Sequence, residues 1–126
     1  MSTHEYDDLI DAAIRILLDE DRRVTIVFSP DGISIRFPTT RKLAERLGIP
    51  HYYVLPRFGE MERDGLIRRA ERVGISTLPA GTERLLAIMA EGYRERAEEV
   101  LGADIFSALL AAGVAASRTE NRQRRD

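Results

Sequence analysis

Residues 37–85 read FPTTRKLAERLGIPHYYVLPRFGEMERDGLIRRAERVGISTLPAGTERL, and the punctuation of this stretch decides the fold. Thr39 or Thr40 can cap a helix over Arg41–Leu47, with Pro38 ending the strand before it. Leu43, Ala44 and Leu47 form its apolar stripe, and Ala44 is small where a following helix would cross closely. Gly48 ends it, because glycine enters the left-handed region at little cost. His51–Asp64 predicts a second helix, with Val54, Phe58 and Met61 repeating at four and three and Gly65 as its stop. Leu66–Arg69 and Ile75–Leu78 predict two short strands around residues 70–74, and Pro79-Ala80-Gly81 breaks the sheet. A further helix then starts with Thr82 as its cap. The order is helix, tight turn, helix, two strands, helix.

Upstream, Ser2 to about Asp21 reads as an amphipathic helix. Tyr6, Leu9, Ile10, Ala13, Ile14, Leu17 and Leu18 recur at three- and four-residue steps, and Ser2 with Glu5 fits a capping box. Asp7, Asp8 and Asp11 lie mostly opposite the apolar stripe and read as a solvated face. Val24–Phe28 and Ile33–Phe37 alternate and flank Ser29-Pro30-Asp31-Gly32, a hairpin signal. Downstream, Thr82–Leu101 reads as one long helix, Gly102 as an interruption, and 103 to about 117 as a helix rich in alanine. Residues 118–126 are polar and predict a disordered basic tail.

The chain has 126 residues, of which 44% are hydrophobic and 32% charged, enough for one core and one small domain with an appendage. Cysteine is absent, which excludes disulfides and thiolate metal sites. No apolar run nears the ~20 residues a membrane span needs. The acidic start MSTHEYDD has no signal-peptide pattern, so a cytoplasmic location is expected. Net charge is −2, but its distribution is uneven. Met1–Arg23 carries three bases and seven acids, and Thr39–Gly81 eight bases and five acids. Thr82–Ser117 carries three bases and six acids. Positive charge therefore concentrates on the helix-turn-helix stretch and on the tail, between acidic helices.

The spacing of Leu43, Ala44, Leu47, Gly48, Ile49, Val54, Phe58 and Met61, followed by Gly65-Leu66-Ile67, resembles the winged helix-turn-helix of MarR- and PadR-like transcriptional regulators. Pro38-Thr39-Thr40-Arg41-Lys42-Leu43-Ala44-Glu45 is also similar to the DNA-binding domain of the SOS repressor. Thr77-Leu78-Pro79-Ala80-Gly81 is similar to the strand-to-helix exit of MarR and PadR wings, with leucine and threonine in reversed order. The resemblance covers about residues 39–89, and the 24–37 hairpin is not typical of it. It implies a mainly α fold with small antiparallel β: a winged-helix domain at 1–81 and a helical dimerisation segment at 82–117.

By that resemblance the start of the second helix meets base edges, through His51, Tyr52, Tyr53 and Arg57, with Leu55 and Pro56 beside them. Arg57 offers a fork that suits guanine. Thr40, Arg41, Lys42 and Arg46 on the first helix, and Arg68, Arg69 and Arg72 on the wing, are candidate phosphate contacts. Pro56 leaves two readings open, a kinked helix or one that begins near Leu55. Tyr52 and Tyr53 also suit a protein-binding patch. Surplus apolar residues on the terminal helices, namely Leu86, Met89, Tyr93, Val100, Ile105, Phe106, Leu109 and Leu110, predict a homodimer interface.

The function expected is therefore a sequence-specific, double-stranded-DNA-binding regulator, a homodimeric repressor. The alternative is a winged-helix module that binds protein. No metal set, cofactor motif or catalytic frame stands out, so no enzyme and no cofactor are expected, and no residue indicates a small-molecule effector.

Overall fold

The computed structural model describes residues 6–30, 32–70 and 74–113. Its first helix, α1, runs Asp7–Arg15 and buries Leu9, Ile10, Ala12, Ala13 and Ile14. The expected cap at Ser2 and Glu5 lies outside the described residues. The helix does not continue in α geometry to Asp21. Ile16–Glu20 forms a π-helical turn, closed by the Asp21 N–H donating to the Ile16 carbonyl at 2.8 Å. Three consecutive apolar residues, Ile16, Leu17 and Leu18, are all buried there.

The predicted hairpin forms as β1 (Ile26–Ser29) and β2 (Gly32–Phe37). Ile33, Ile35 and Phe37 alternate into the core, as period-two patterning requires. Helix α2 (Thr40–Leu47) is capped by Thr39, whose hydroxyl accepts from the Lys42 N–H at 3.2 Å. Gly48 ends it at φ 69°, the left-handed value that glycine takes without strain. Helix α3 (His51–Arg63) follows after Ile49 and Pro50 and contains Pro56. Of the two readings of that proline, the structure selects a helix that starts at His51 and runs through it. Pro56 lies on the solvent side, away from Val54, Phe58 and Met61, which are buried.

Strands β3 (Ile67–Ala70) and β4 (Gly74–Thr77) form the second hairpin. The sheet order is β1-β2-β4-β3 and every pairing is antiparallel. Arg36 pairs with Ser76 and Phe37 with Ile75, so the first hairpin extends the sheet of the second.

Helix α4 runs Pro79–Gly92, with proline in its first turn, where a missing N–H costs nothing. Thr82 is therefore not the cap. It lies inside the first turn, buried, with its hydroxyl 2.6 Å from Thr77 Oγ1 and donating to the Ile33 carbonyl. Thr77 Oγ1 in turn accepts from the Ile35 N–H at 2.8 Å. This chain of hydroxyls pins the start of α4 to the sheet. Gly81 is needed at the same spot. A Cβ there would sit 1.9 Å from the Leu66 carbonyl oxygen. The expected single helix over 82–101 is two: the backbone breaks at Tyr93, and α5 spans Arg94–Leu101. Gly102 follows at φ 91°, and residues 103–113 form α6.

One core joins these elements. Leu9 and Ile14 of α1, Leu43 of α2, Val54, Phe58 and Met61 of α3, Ile67 of β3, and Leu85 and Met89 of α4 are all essentially inaccessible. Phe37 meets Phe58 edge-on, with centroids 5.8 Å apart. The result is a helix-rich chain with a small antiparallel sheet, in an order compatible with a winged helix. Among the described residues no helix is long and apolar enough to cross a membrane.

Candidate functional site

Helix α3 meets the core with Val54, Phe58 and Met61 alone, so its opposite side stays open. At 100° per residue that open side carries Tyr52, Pro56, Gly59 and Arg63, with Tyr53 and Leu55 at its margins. Tyr52 and Tyr53 are 66% and 57% exposed, large values for aromatic residues. Their rings lie 4.7 Å apart, tilted by 35°. Neither tyrosine packs into the fold.

His51 and Thr40 are drawn together: Thr40 Oγ1 and His51 Nε2 share a hydrogen bond of 2.6 Å across the starts of α2 and α3. That bond ties the two helix entrances to each other and leaves both side chains half-buried.

Arg57 departs from expectation. Its two terminal nitrogens donate to the two carboxylate oxygens of Asp8 on α1, each at 2.7 Å. The fork that suits guanine already holds a carboxylate. Those hydrogen bonds are also the main reason that the Asp8 carboxyl titrates below the ordinary aspartate range, ahead of the opposing effect of burial.

The same holds along the whole acidic row, which the sequence presents as a solvated face. Asp7 is paired with Arg84, Asp11 with Arg15, and Asp19 with Arg96. Glu20 pairs with Arg46 and Asp21 with Lys42, both at 3.2 Å. On β3, Arg69 pairs with Glu62 at 2.9 Å and holds that carboxyl below its usual range. Four of the expected phosphate or base contacts are therefore paired with acids of the same chain: Lys42, Arg46, Arg57 and Arg69. Arg41 and Arg68 are exposed, and among the described residues neither side chain is held by an ion pair or hydrogen bond. Arg72 lies outside the described residues.

The expected dimer interface needs a larger correction. Leu86, Met89, Phe106 and Leu109 are each 4% exposed or less, all within this one chain. Val100 and Leu110 are half-buried against the same core. The Tyr93 hydroxyl donates to Asp11 and accepts from Arg15, fastening the α4–α5 break to α1. Of the eight residues only Ile105 stays well exposed. Helix α6 supplies the missing layer by folding back: a Cβ on Gly113 would come within 2.9 Å of Leu86 on α4. Gly113 thus serves a close crossing inside the chain, whereas Ala108 and Ala111 of the same helix are exposed. The basic segment 118–126 lies outside the described residues.

Sequence reasoning missed the carboxylates of α1 and its π turn as partners of α2, α3 and α4. Arg57 and Asp8 are 49 positions apart, so no local pattern announces the pair. No protein-family model and no curated protein matches the chain.

Proposed function

We propose that this chain is a winged helix-turn-helix module that binds double-stranded DNA with sequence preference and acts as a cytoplasmic transcriptional regulator. The observation that carries the reading is the solvent side of α3. Tyr52, Tyr53, Leu55 and Pro56 are exposed on a helix whose other side is locked into the core, and α2 packs against that helix. A rigid helix with an unclaimed face, preceded by a crossing helix and followed by a two-stranded wing, is the arrangement by which such modules reach base edges. Arg41 and Arg68 supply exposed cations on the two flanking elements. The tyrosine rings and hydroxyls can meet thymine methyls and phosphates, which is direct readout with little charge.

Fluorescence anisotropy on random and genomic duplexes at two salt concentrations tests the proposal. Binding that weakens as salt rises, and weakens further when Arg41 and Arg68 are changed to glutamate, is the expected result. Tyr52→Ala should alter which sequences a selection returns while the salt slope stays put. No affinity for any duplex at low salt refutes the reading. The neutralised cations and the tyrosine pair favour a second one, a protein-docking face on α3, in that event.

A further inference from the structure

The first hairpin leaves β1 at the outer edge of the sheet among the described residues, and of the devices that usually blunt such an edge β1 has only its shortness, four residues. Its residues Ile26-Val27-Phe28-Ser29 include no charge, no proline and no glycine. Phe28 is 76% exposed and Val27 38% exposed, in a chain whose other large apolar residues are mostly buried. The register with β2 fixes which backbone groups are unclaimed. The Arg36 N–H donates to the Thr25 carbonyl, and Val27 sits opposite Ser34. Odd-numbered residues of β1 therefore bond inward to β2. Ile26 and Phe28 turn their N–H and C=O groups outward, where the sheet ends.

We infer that β1 pairs antiparallel with β1 of a second copy of this chain, about a two-fold axis at Val27, joining two four-stranded sheets into one. The arrangement is self-complementary. Ile26 faces the partner's Phe28 and exchanges both backbone hydrogen bonds with it, and the symmetric pair repeats the exchange. Val27 meets the partner's Val27 in the closely spaced, non-hydrogen-bonded position. Each exposed phenylalanine ring then lies beside the partner's Ile26, an aromatic–β-branched pair of the stabilising kind. The strand is neutral, so self-pairing sets no like charges against each other. A second copy fits this edge better than a charged partner does, because β1 has no side chain with which to select one.

Cysteine scanning gives a sharp test, since the chain has no cysteine of its own. Facing residues of a non-hydrogen-bonded pair have Cα atoms ~4.5 Å apart, within the range a disulfide accepts. Under mild oxidation Val27→Cys should become a covalent dimer quickly, and Phe28→Cys, two positions out of register with its own copy, slowly. Random collision would give the reverse order, because Phe28 is the more exposed. Light scattering without DNA should show a dimer for the unmodified chain at roughly 100 μM and a monomer for Val27→Lys, following mass action. A chain that is monomeric at that concentration overturns the inference, as does faster cross-linking at position 28. Retained dimer in Val27→Lys also overturns it. Oligomeric state is read here without nucleic acid, so a failure leaves the DNA proposal standing, and the reverse.

Discussion

On the proposed DNA-binding reading, Asp8→Ala isolates the competition between an internal carboxylate and the nucleic acid for Arg57. The pair is bidentate at 2.7 Å, with side-chain exposures of 33% and 56%. Solvent reaches both groups, so their mutual attraction is worth at most ~1 kcal/mol of stability. Asp8 also stands in the first turn of α1, where an acid gains about 0.3–1 kcal/mol from the helix dipole. Thermal melts should accordingly show a loss near 1 kcal/mol, without loss of the fold. On the same reading, the effect on DNA binding has the opposite sign. One additional phosphate contact steepens the salt dependence by ~0.9 in slope and is worth roughly eightfold in affinity near 0.1 M salt. Anisotropy titrations across a salt series measure both quantities. An unchanged slope and affinity would refute the reasoning, and would make the Arg57 fork a fastener between α3 and α1. Acid titration adds a sign check. Arg57 lowers the folded-state pKa of Asp8, so the pair's contribution is present above the ordinary aspartate value and lost as pH falls through the lowered one. The stability gap between wild type and Asp8→Ala should close in that acidic window.

Two further changes test the packing. Phe106→Ala empties a site that is 0% exposed within one chain, so it should cost about 3–5 kcal/mol in denaturant unfolding, while light scattering shows the same oligomeric state as the unmodified chain; a variant that only dissociates a dimer would restore α6 as an intermolecular element. Gly81→Ala pushes a methyl into the Leu66 carbonyl, which belongs to backbone and cannot rotate aside, so α4 must lift from the strand entry. Overpacking of this kind costs ~1–3 kcal/mol or more, measurable by denaturant unfolding, and a neutral result would refute the close approach of α4 to Leu66.

The stretch over residues 37–85 is legible because its signals are local. Thr39 caps α2, Gly48 and Gly65 take positive φ, and Val54, Phe58 and Met61 face inward at helical spacing, all as the residues alone imply. The hairpin at 24–37 was equally clear, although its attachment to β4 rests on a pairing between Arg36 and Ser76 that no neighbour in sequence announces. Illegible features depend on distance along the chain. The apolar count on the terminal helices was right, but an amphipathic pattern does not say whether its partner is the same chain or another, and α6 turned to α4. Acids at solvent-face spacing likewise look the same whether they face water or an arginine 49 residues away. For the candidate site, the exposure of Tyr52 and Tyr53 followed from the helix phase, whereas the engagement of Arg57, Lys42, Arg46 and Arg69 did not.

The π turn at Ile16–Glu20 is one residue wider than an α turn, so it holds a residue that ordinary α geometry would pass on as ~100° of rotation and ~1.5 Å of rise. Asp19, Glu20 and Asp21, three neighbours at its end, reach Arg96 on α5, Arg46 on α2 and Lys42 on α2. Asp7 and Asp8, at the start of α1, reach Arg84 on α4 and Arg57 on α3. Removing one residue from the turn would let ordinary α geometry run on, with the two ends nearly in their present phase. The same deletion inside Asp7–Arg15 would turn one set of carboxylates against the other, although no charge had been altered. The length of the segment is therefore adjustable at the turn and fixed in the helix before it.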